Sequence, residues 1–231
     1  LDNSLEGEIT SDPPRSEKYL YLIENGPVQQ SVSFTGKAQW KDGAERYGAG
    51  PTAQAGEFDG KRYVDAGDSG NFGFYDSFTL SAWINPSAAT GAIVSRAVDD
   101  PEGRGWSFSL QDGHLHGILL LRWLDDGVRV ESEETVPLNK WSHVVMTYDG
   151  SRLAGGVHLY LNGLLLVTNA FTGSLSGVSG KTNYFGRPNT TETTRFHGEL
   201  DEFRVWKTAR SGEQIRATMF QRLSGQEPGL A

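Results

Sequence analysis

A chain of 231 residues with a formal charge of -8, from 29 acidic against 21 basic residues spread without long runs of one sign, has no basic face to offer a nucleic acid. It contains no cysteine, which excludes disulfides, thiol nucleophiles and thiolate metal sites. No apolar run is long enough for a membrane-spanning helix, and 29 glycines, six tryptophans, eight tyrosines and eleven phenylalanines set among Ser and Thr give a strand-and-turn composition.

Residues 1–18 mix charge, Pro13-Pro14 and small polar side chains and read as a leader or linker. The start at Leu1 without a methionine leads us to expect a mature or excised piece. The length fits one β domain over 19–223, followed by a tail at 224–231. Tyr19 to Ile23 and Val32 to Gly36 are two short strand candidates separated by Gly26-Pro27, and residues 48–56 read as a loop. Strand candidates follow at Tyr63 to Gly67 and Phe78 to Ile84, where Phe78, Leu80, Ala82 and Ile84 share one face at period two.

Ile93 to Arg96 comes next. Trp106-Ser-Phe-Ser-Leu110 then turns its aromatic and aliphatic residues inward and Ser107 and Ser109 outward. Asp112-Gly113 signals a hairpin into His116 to Trp123, and Asp126-Gly127 marks a turn before Val128 to Val130. Trp141 to Tyr148 ends at Asp149-Gly150, and Gly155 to Leu161 runs into Asn162-Gly163, the strongest hairpin signal in the chain. The closing strand is Gly198-Glu-Leu-Asp-Glu-Phe-Arg-Val-Trp206. Behind it Ser211 serves as an N-cap for a short helix whose apolar face is Ile215 and Met219. Short strands and tight turns at regular spacing, with no fixed-period repeat, predict an all-β, two-sheet antiparallel sandwich with a short C-terminal helix.

The succession FDG, YVDAG, FTLSAWI, NKWSHVVMTYDGS, GVHLYLNG, NYFGR and FHGELDEFRVW, over about residues 55–220, resembles the laminin-G-like, concanavalin-A-like lectin jelly roll. A narrower likeness, in Arg104-Gly-Trp106, Gln111-Asp-Gly113 and Val144 to Gly163 with its Ala154-Gly155-Gly156 turn, is to laminin-G-like modules embedded in large exported planctomycete proteins that also carry cytochrome-c-like segments. No Cys-x-x-Cys-His occurs here, so any haem of such a protein belongs to another part of it. The resemblance implies a non-catalytic binding module, most often for carbohydrate, in a secreted, periplasmic or cell-surface setting. A protein-interaction module and a jelly-roll glycoside hydrolase or lyase are the alternatives, because the fold hosts all three.

Sugar binding needs an aromatic face to stack on a pyranose and polar groups for its hydroxyls. Trp83, Trp141 and Trp206 fall inside the strand motifs and read as structural. Trp123 with Arg122 and Asp126, and Trp106 with Arg104, are the candidate ligand contacts. For Trp123 a buried position in phase with Leu119 and Leu121 is the competing reading. Glu199-Leu-Asp-Glu202 echoes the carboxylate strand of jelly-roll hydrolases. Phe203 or Arg204 stands where a third carboxylate is needed, and Glu199 and Asp201 are read on one face with Phe203 and Val205, which look like core.

The resemblance further implies that Asp201 could hold a structural calcium with Asp59, carbonyls and water completing the shell. Its alternative is a turn cap or a pair with Arg204 or Lys207. Arg104 to Trp106 and Arg187 to Thr190 stand where pentraxins carry calcium ligands, which argues against that mode of recognition. Asp99 to Glu102 reads as an exposed acidic turn, and Gly67-Asp-Ser-Gly70 as a chance protease-like tetrapeptide in a turn. His114 and His116, at i and i+2, could face one metal but lack a third ligand.

Overall fold

The computed structural model describes residues 33–35, 39–42, 54–61, 63–65, 70–73, 75–97, 105–122, 126–172, 184–185, 195–221, 223 and 225–231. The strands are β1 (Ser33–Thr35), β2 (Gln39–Asp42), β3 (Gln54–Asp59), β4 (Tyr63–Asp65), β5 (Phe78–Pro86), β6 (Gly91–Ala97), β7 (Gly105–Gln111), β8 (His114–Arg122) and β9 (Asp126–Thr135). They continue with β10 (Ser142–Tyr148), β11 (Val157–Leu161), β12 (Leu164–Leu165), β13 (Thr168–Thr172), β14 (Tyr184–Phe185) and β15 (His197–Trp206), and helix α1 (Gly212–Thr218) follows. They form two antiparallel sheets, one of eight strands in the order β1-β4-β14-β6-β7-β8-β9-β13 and one of seven in the order β12-β11-β10-β5-β15-β3-β2. The expected leader and the Tyr19 to Ile23 strand lie outside the described residues. β3 begins inside the stretch read as a loop, at Gln54.

Period-two alternation builds the core between the sheets. Phe78, Leu80, Ala82 and Ile84 of β5 and Val144 and Met146 of β10 face Trp106, Phe108 and Leu110 of β7 and Val128 and Val130 of β9 in one buried cluster. Gly117 of β8 lies under Met146, whose sulfur is 2.6 Å from where a Cβ would stand. Both predicted hairpins form as expected. Asp112 and Gly113 have φ of 52° and 88°, and Asn162 and Gly163 have 50° and 79°, the left-handed pairs that a two-residue turn between twisted strands requires. Asp126-Gly127, read as a turn, instead opens β9, with Asp126 opposite Arg122.

The closing strand departs from its expected phase. Its register against β5 shifts between Asp201 and Arg204, and Glu202 takes φ of 51°, the signature of a β-bulge. Leu200 faces the core before the bulge and Phe203 after it. Glu199 and Asp201 therefore do not share a face with Phe203 and Val205: the extra residue turns the strand over, and Asp201, Arg204 and Trp206 all lie on the outer face of the seven-stranded sheet.

Helix α1 covers that outer face. Ser211 and Gln214 form a reciprocal capping box, and Ile215 and Met219 are buried as their spacing predicts. Met219 packs with Ala55, Trp83 and Trp141, and the Trp83 indole N–H donates to the Met219 carbonyl at 3.1 Å. Arg204 fastens the helix end. Its guanidinium pairs with Glu202 at 2.7 Å and donates to the carbonyls of Thr218 at 2.6 Å and Gln221 at 2.8 Å, where the last turn leaves acceptors unsatisfied. The tail returns to the same strand, with the Lys207 and Ala231 N–H groups donating to Gly229 and Val205.

Both partners of the Arg204–Glu202 pair are 3% exposed, so removing one leaves a buried charge uncompensated. Arg204→Met is expected to lower unfolding stability by about 3 to 5 kcal/mol in urea titrations, and the double variant Arg204→Met, Glu202→Leu to recover most of that loss. An Arg204→Met variant within about 0.5 kcal/mol of the parent contradicts the clamp.

Candidate functional site

Two rungs of register partners cross the eight-stranded sheet between its core-facing rows. One runs Ser95, Ser107, Ile118, Arg129, with Tyr184 and Phe171 as the register partners at its two ends, and the next Ala92, Ser109, His116, Glu131, Asn169. Alternation generates this face: in β7 Trp106, Phe108 and Leu110 and in β9 Val128 and Val130 are each followed by a small or polar residue, and in β8 Leu115 is followed by His116. At the 4.7–4.9 Å strand spacing the first rung extends for about 24 Å.

At its centre three side chains meet. The Glu131 Oε2 accepts from the Arg129 guanidinium at 3.0 Å and lies 3.2 Å from His116 Nε2. Burial holds the His116 imidazole down at about 4, with Arg129 lowering it further and Glu131 opposing both. The ring is therefore neutral at pH 7, and Nε2–H facing the carboxylate leaves Nδ1 as an acceptor. Glu131 and Arg129 keep 27% and 33% of their side chains exposed. The arrangement presents a guanidinium, a carboxylate and the half-buried Ser109 hydroxyl beside the half-buried Ile118, with Ser107 buried behind them, a set suited to hydroxyl-rich ligands. Among the described side chains of the two rungs Glu131 is the single carboxylate, whereas glycoside hydrolysis uses a pair.

The expected ligand residues are placed differently from one another. Arg104 and Trp123 lie outside the described residues. Arg122 and Asp126 are cross-strand partners at the end of the β8–β9 hairpin, with side chains outside the described set. Trp106 needs correction. It is 3% exposed, packs against Phe72 and Phe78 at 6.4 and 5.8 Å and donates its indole N–H to the Gly70 carbonyl. Its faces are spent on the core, so it offers no stacking platform. The inward phase of Trp106-Ser-Phe-Ser-Leu110 carried that information.

Asp59 and Asp201 are not brought together. Asp59 stands opposite His197 in the β3–β15 pairing, and Asp201 lies four residues further along β15, a displacement of about 13 Å. Asp201 is fully buried and accepts the Glu202 N–H at 2.9 Å, while the exposed Asp59 accepts from Lys61 N–H. The two do not fit one calcium shell, and no group of three or more His, Cys, Asp or Glu suited to a metal occurs among the described residues. Arg204, weighed as a partner for Asp201, pairs with Glu202 at 2.7 Å. His114 and His116 are likewise separated by function: His114 Nδ1 contacts the Ser132 carbonyl at 2.8 Å, and His116 turns to Glu131. Glu199 accepts from the Asn85 amide at 2.9 Å on the other sheet.

Two layers of antiparallel strands, a core between them and a polar outer face define a lectin-like β-sandwich. The chain belongs to the concanavalin A-like lectin/glucanases superfamily, whose laminin G model matches residues 58–216. A relative, mouse (Mus musculus) Pappalysin-1, is 24% identical over an alignment of 161 residues that covers 62% of this chain and 10% of that protein. Similar solved structures include a Bacteroides ovatus protein described as a candidate carbohydrate binder, with a TM-score of 0.54 and 23% identity over 77% of this chain and 49% of that one. The receptor-binding domain of botulinum neurotoxin mosaic serotype C/D gives a TM-score of 0.60 and 17% identity over 92% of this chain and 51% of that one. The chain thus spans about a tenth of Pappalysin-1 and about half of the solved chains; at such identities the solved structures share the fold.

Two buried imidazoles give the protein a pH signature. His116 and His143 titrate at about 4 and about 3 against an ordinary 6.5, each mainly because burial disfavours the cation. The unfolded chain therefore binds protons that the folded chain does not. Their contribution to stability is full above the unfolded value near 6.5 and is lost as the pH falls towards 4, with a slope approaching two protons. His116→Gln is expected to reduce that slope by about one proton in chemical denaturation across this range; an unchanged slope contradicts the neutral, buried state of His116.

Proposed function

We propose that this chain is a non-catalytic carbohydrate-binding module whose ligand lies across the outer face of the eight-stranded sheet. The observation that carries the reading is the Arg129–Glu131–His116 cluster, held rigid on strands and flanked by Ser107 and Ser109. Membership of a lectin and glucanase superfamily and the likeness to a candidate carbohydrate binder support the same ligand class. A lone described carboxylate on the rungs supports binding over hydrolysis. Arg122 and Asp126, paired at the hairpin end of the same two strands, with Trp123 between them in sequence, would extend the site to the rim. The setting we infer, from the planctomycete likeness, is a larger exported protein.

A second reading, a protein-interaction module, is favoured by one feature. Leu164, Leu165 and Val167 are 61, 58 and 58% exposed on and beside the edge strand β12 of the seven-stranded sheet, where apolar groups usually mark a contact surface.

A glycan array followed by calorimetry distinguishes the two. The sugar reading expects a saturable ligand. Glu131→Gln and Arg129→Ala should each weaken it about tenfold, near 1.4 kcal/mol, while Leu164→Ser leaves it unchanged. Prolonged incubation with the bound glycan is expected to release no new reducing ends. Silence across the array rejects the sugar reading, and reducing-end release lost in Glu131→Gln rejects the non-catalytic one.

A further inference from the structure

We propose that the cavity between α1 and the outer face of the seven-stranded sheet binds a chloride ion, held by Arg210, Ser81 and His143 in front of Arg204. The cavity is lined by these four residues together with Thr79, Thr218 and apolar side chains, and no carboxylate lines it. The cavity is of single-water size, which limits an occupant to one water or one monatomic ion and leaves too little for sulfate or phosphate.

The surrounding hydrogen bonds leave donors in excess. Arg204 is matched by Glu202. Arg210 has no carboxylate partner among the described residues: its guanidinium sits 3.8 Å over the Trp206 ring and donates to the Gln214 carbonyl at 3.0 Å and the Thr218 hydroxyl at 3.4 Å. The Arg210 Nε–H and His143 Nδ1 are buried without a hydrogen-bond partner, the latter on a ring that is 3% exposed and can carry its proton on Nδ1. Thr79 is occupied, donating to the Thr208 carbonyl and accepting from the Arg210 N–H, and Thr218 donates to the Gln214 carbonyl. Ser81, directly opposite Arg204 across the β5–β15 pair, is 6% exposed and makes no side-chain hydrogen bond among the described residues.

The free groups lining the cavity are thus an N–H of Arg210, the imidazole and a hydroxyl, beside a cation with no carboxylate partner among the described residues. Burial and the neighbouring Arg204 both disfavour the Arg210 cation. Water accepts two hydrogen bonds and brings no charge. A halide accepts from every donor and neutralises Arg210, and in doing so ties the segment before α1 to β5 and β10.

Thermal unfolding in sodium chloride against sodium gluconate at equal ionic strength tests the site. The expected result is a saturable rise of about 2 to 4 °C in chloride, since an ion bound only by the folded state stabilises it. Bromide should reproduce the rise, sulfate should not, and Arg210→Gln should remove it. Equal melting in chloride and gluconate, or a chloride effect that survives Arg210→Gln, overturns the proposal. Should Arg210→Gln fail to fold, bromide-soaked crystals of the parent protein decide by anomalous scattering: a peak in this cavity supports the site, and its absence overturns it.

Discussion

The bulge at Glu202 is the constraint on which the arrangement of the seven-stranded sheet depends. One extra residue in the last strand lets Leu200 and Phe203 both enter the core while Asp201 and Arg204 both stay outside it. Without it, the strand would carry Arg204 into the apolar layer or lift Phe203 out. With it, Arg204 emerges beneath α1 beside its bulge neighbour Glu202, and that pair closes the helix end at the Thr218 and Gln221 carbonyls. A positive φ at a glutamate costs of order 1 kcal/mol or more, and the charge-assisted bonds of the clamp offset it.

The two sheets consequently divide their labour. The outer face of the seven-stranded sheet is roofed by Met219 and Phe220 over Trp83 and by Ile215 over Val145 and Tyr160, so its charged groups serve structure. The carboxylates of Glu199-Leu-Asp-Glu202 belong to this side: Glu199 takes Asn85, Asp201 is buried, and Glu202 holds Arg204. The proposed recognition face is that of the eight-stranded sheet, where Ser109, His116, Arg129 and Glu131 share two adjacent rungs.

Much of this was legible in the chain. Alternation placed the inward residues of β5 and β7, the Asp112-Gly113 and Asn162-Gly163 turns formed where their left-handed preference predicts, and Ser211 capped the helix. The failures have identifiable causes. Glu202 is not a residue that announces positive φ, so the phase of β15 could not be read past it. Asp126-Gly127 has turn chemistry but pairs within β9, the sheet overriding local preference. The Arg129–Glu131–His116 cluster needed the register of β8 against β9, which shifts between His114 and His116. Outward phase alone could name these residues but not bring them together.

The central claim, that the eight-stranded sheet's outer face is the binding surface, is tested most directly by backbone amide chemical-shift mapping with a glycan titrated into labelled protein. The account predicts saturable shifts concentrated at Ser107, Ser109, His116, Ile118, Arg129 and Glu131, with the amides of β5, β10 and α1 unmoved. Shifts centred on β12 or α1, or none at any glycan concentration, would contradict it.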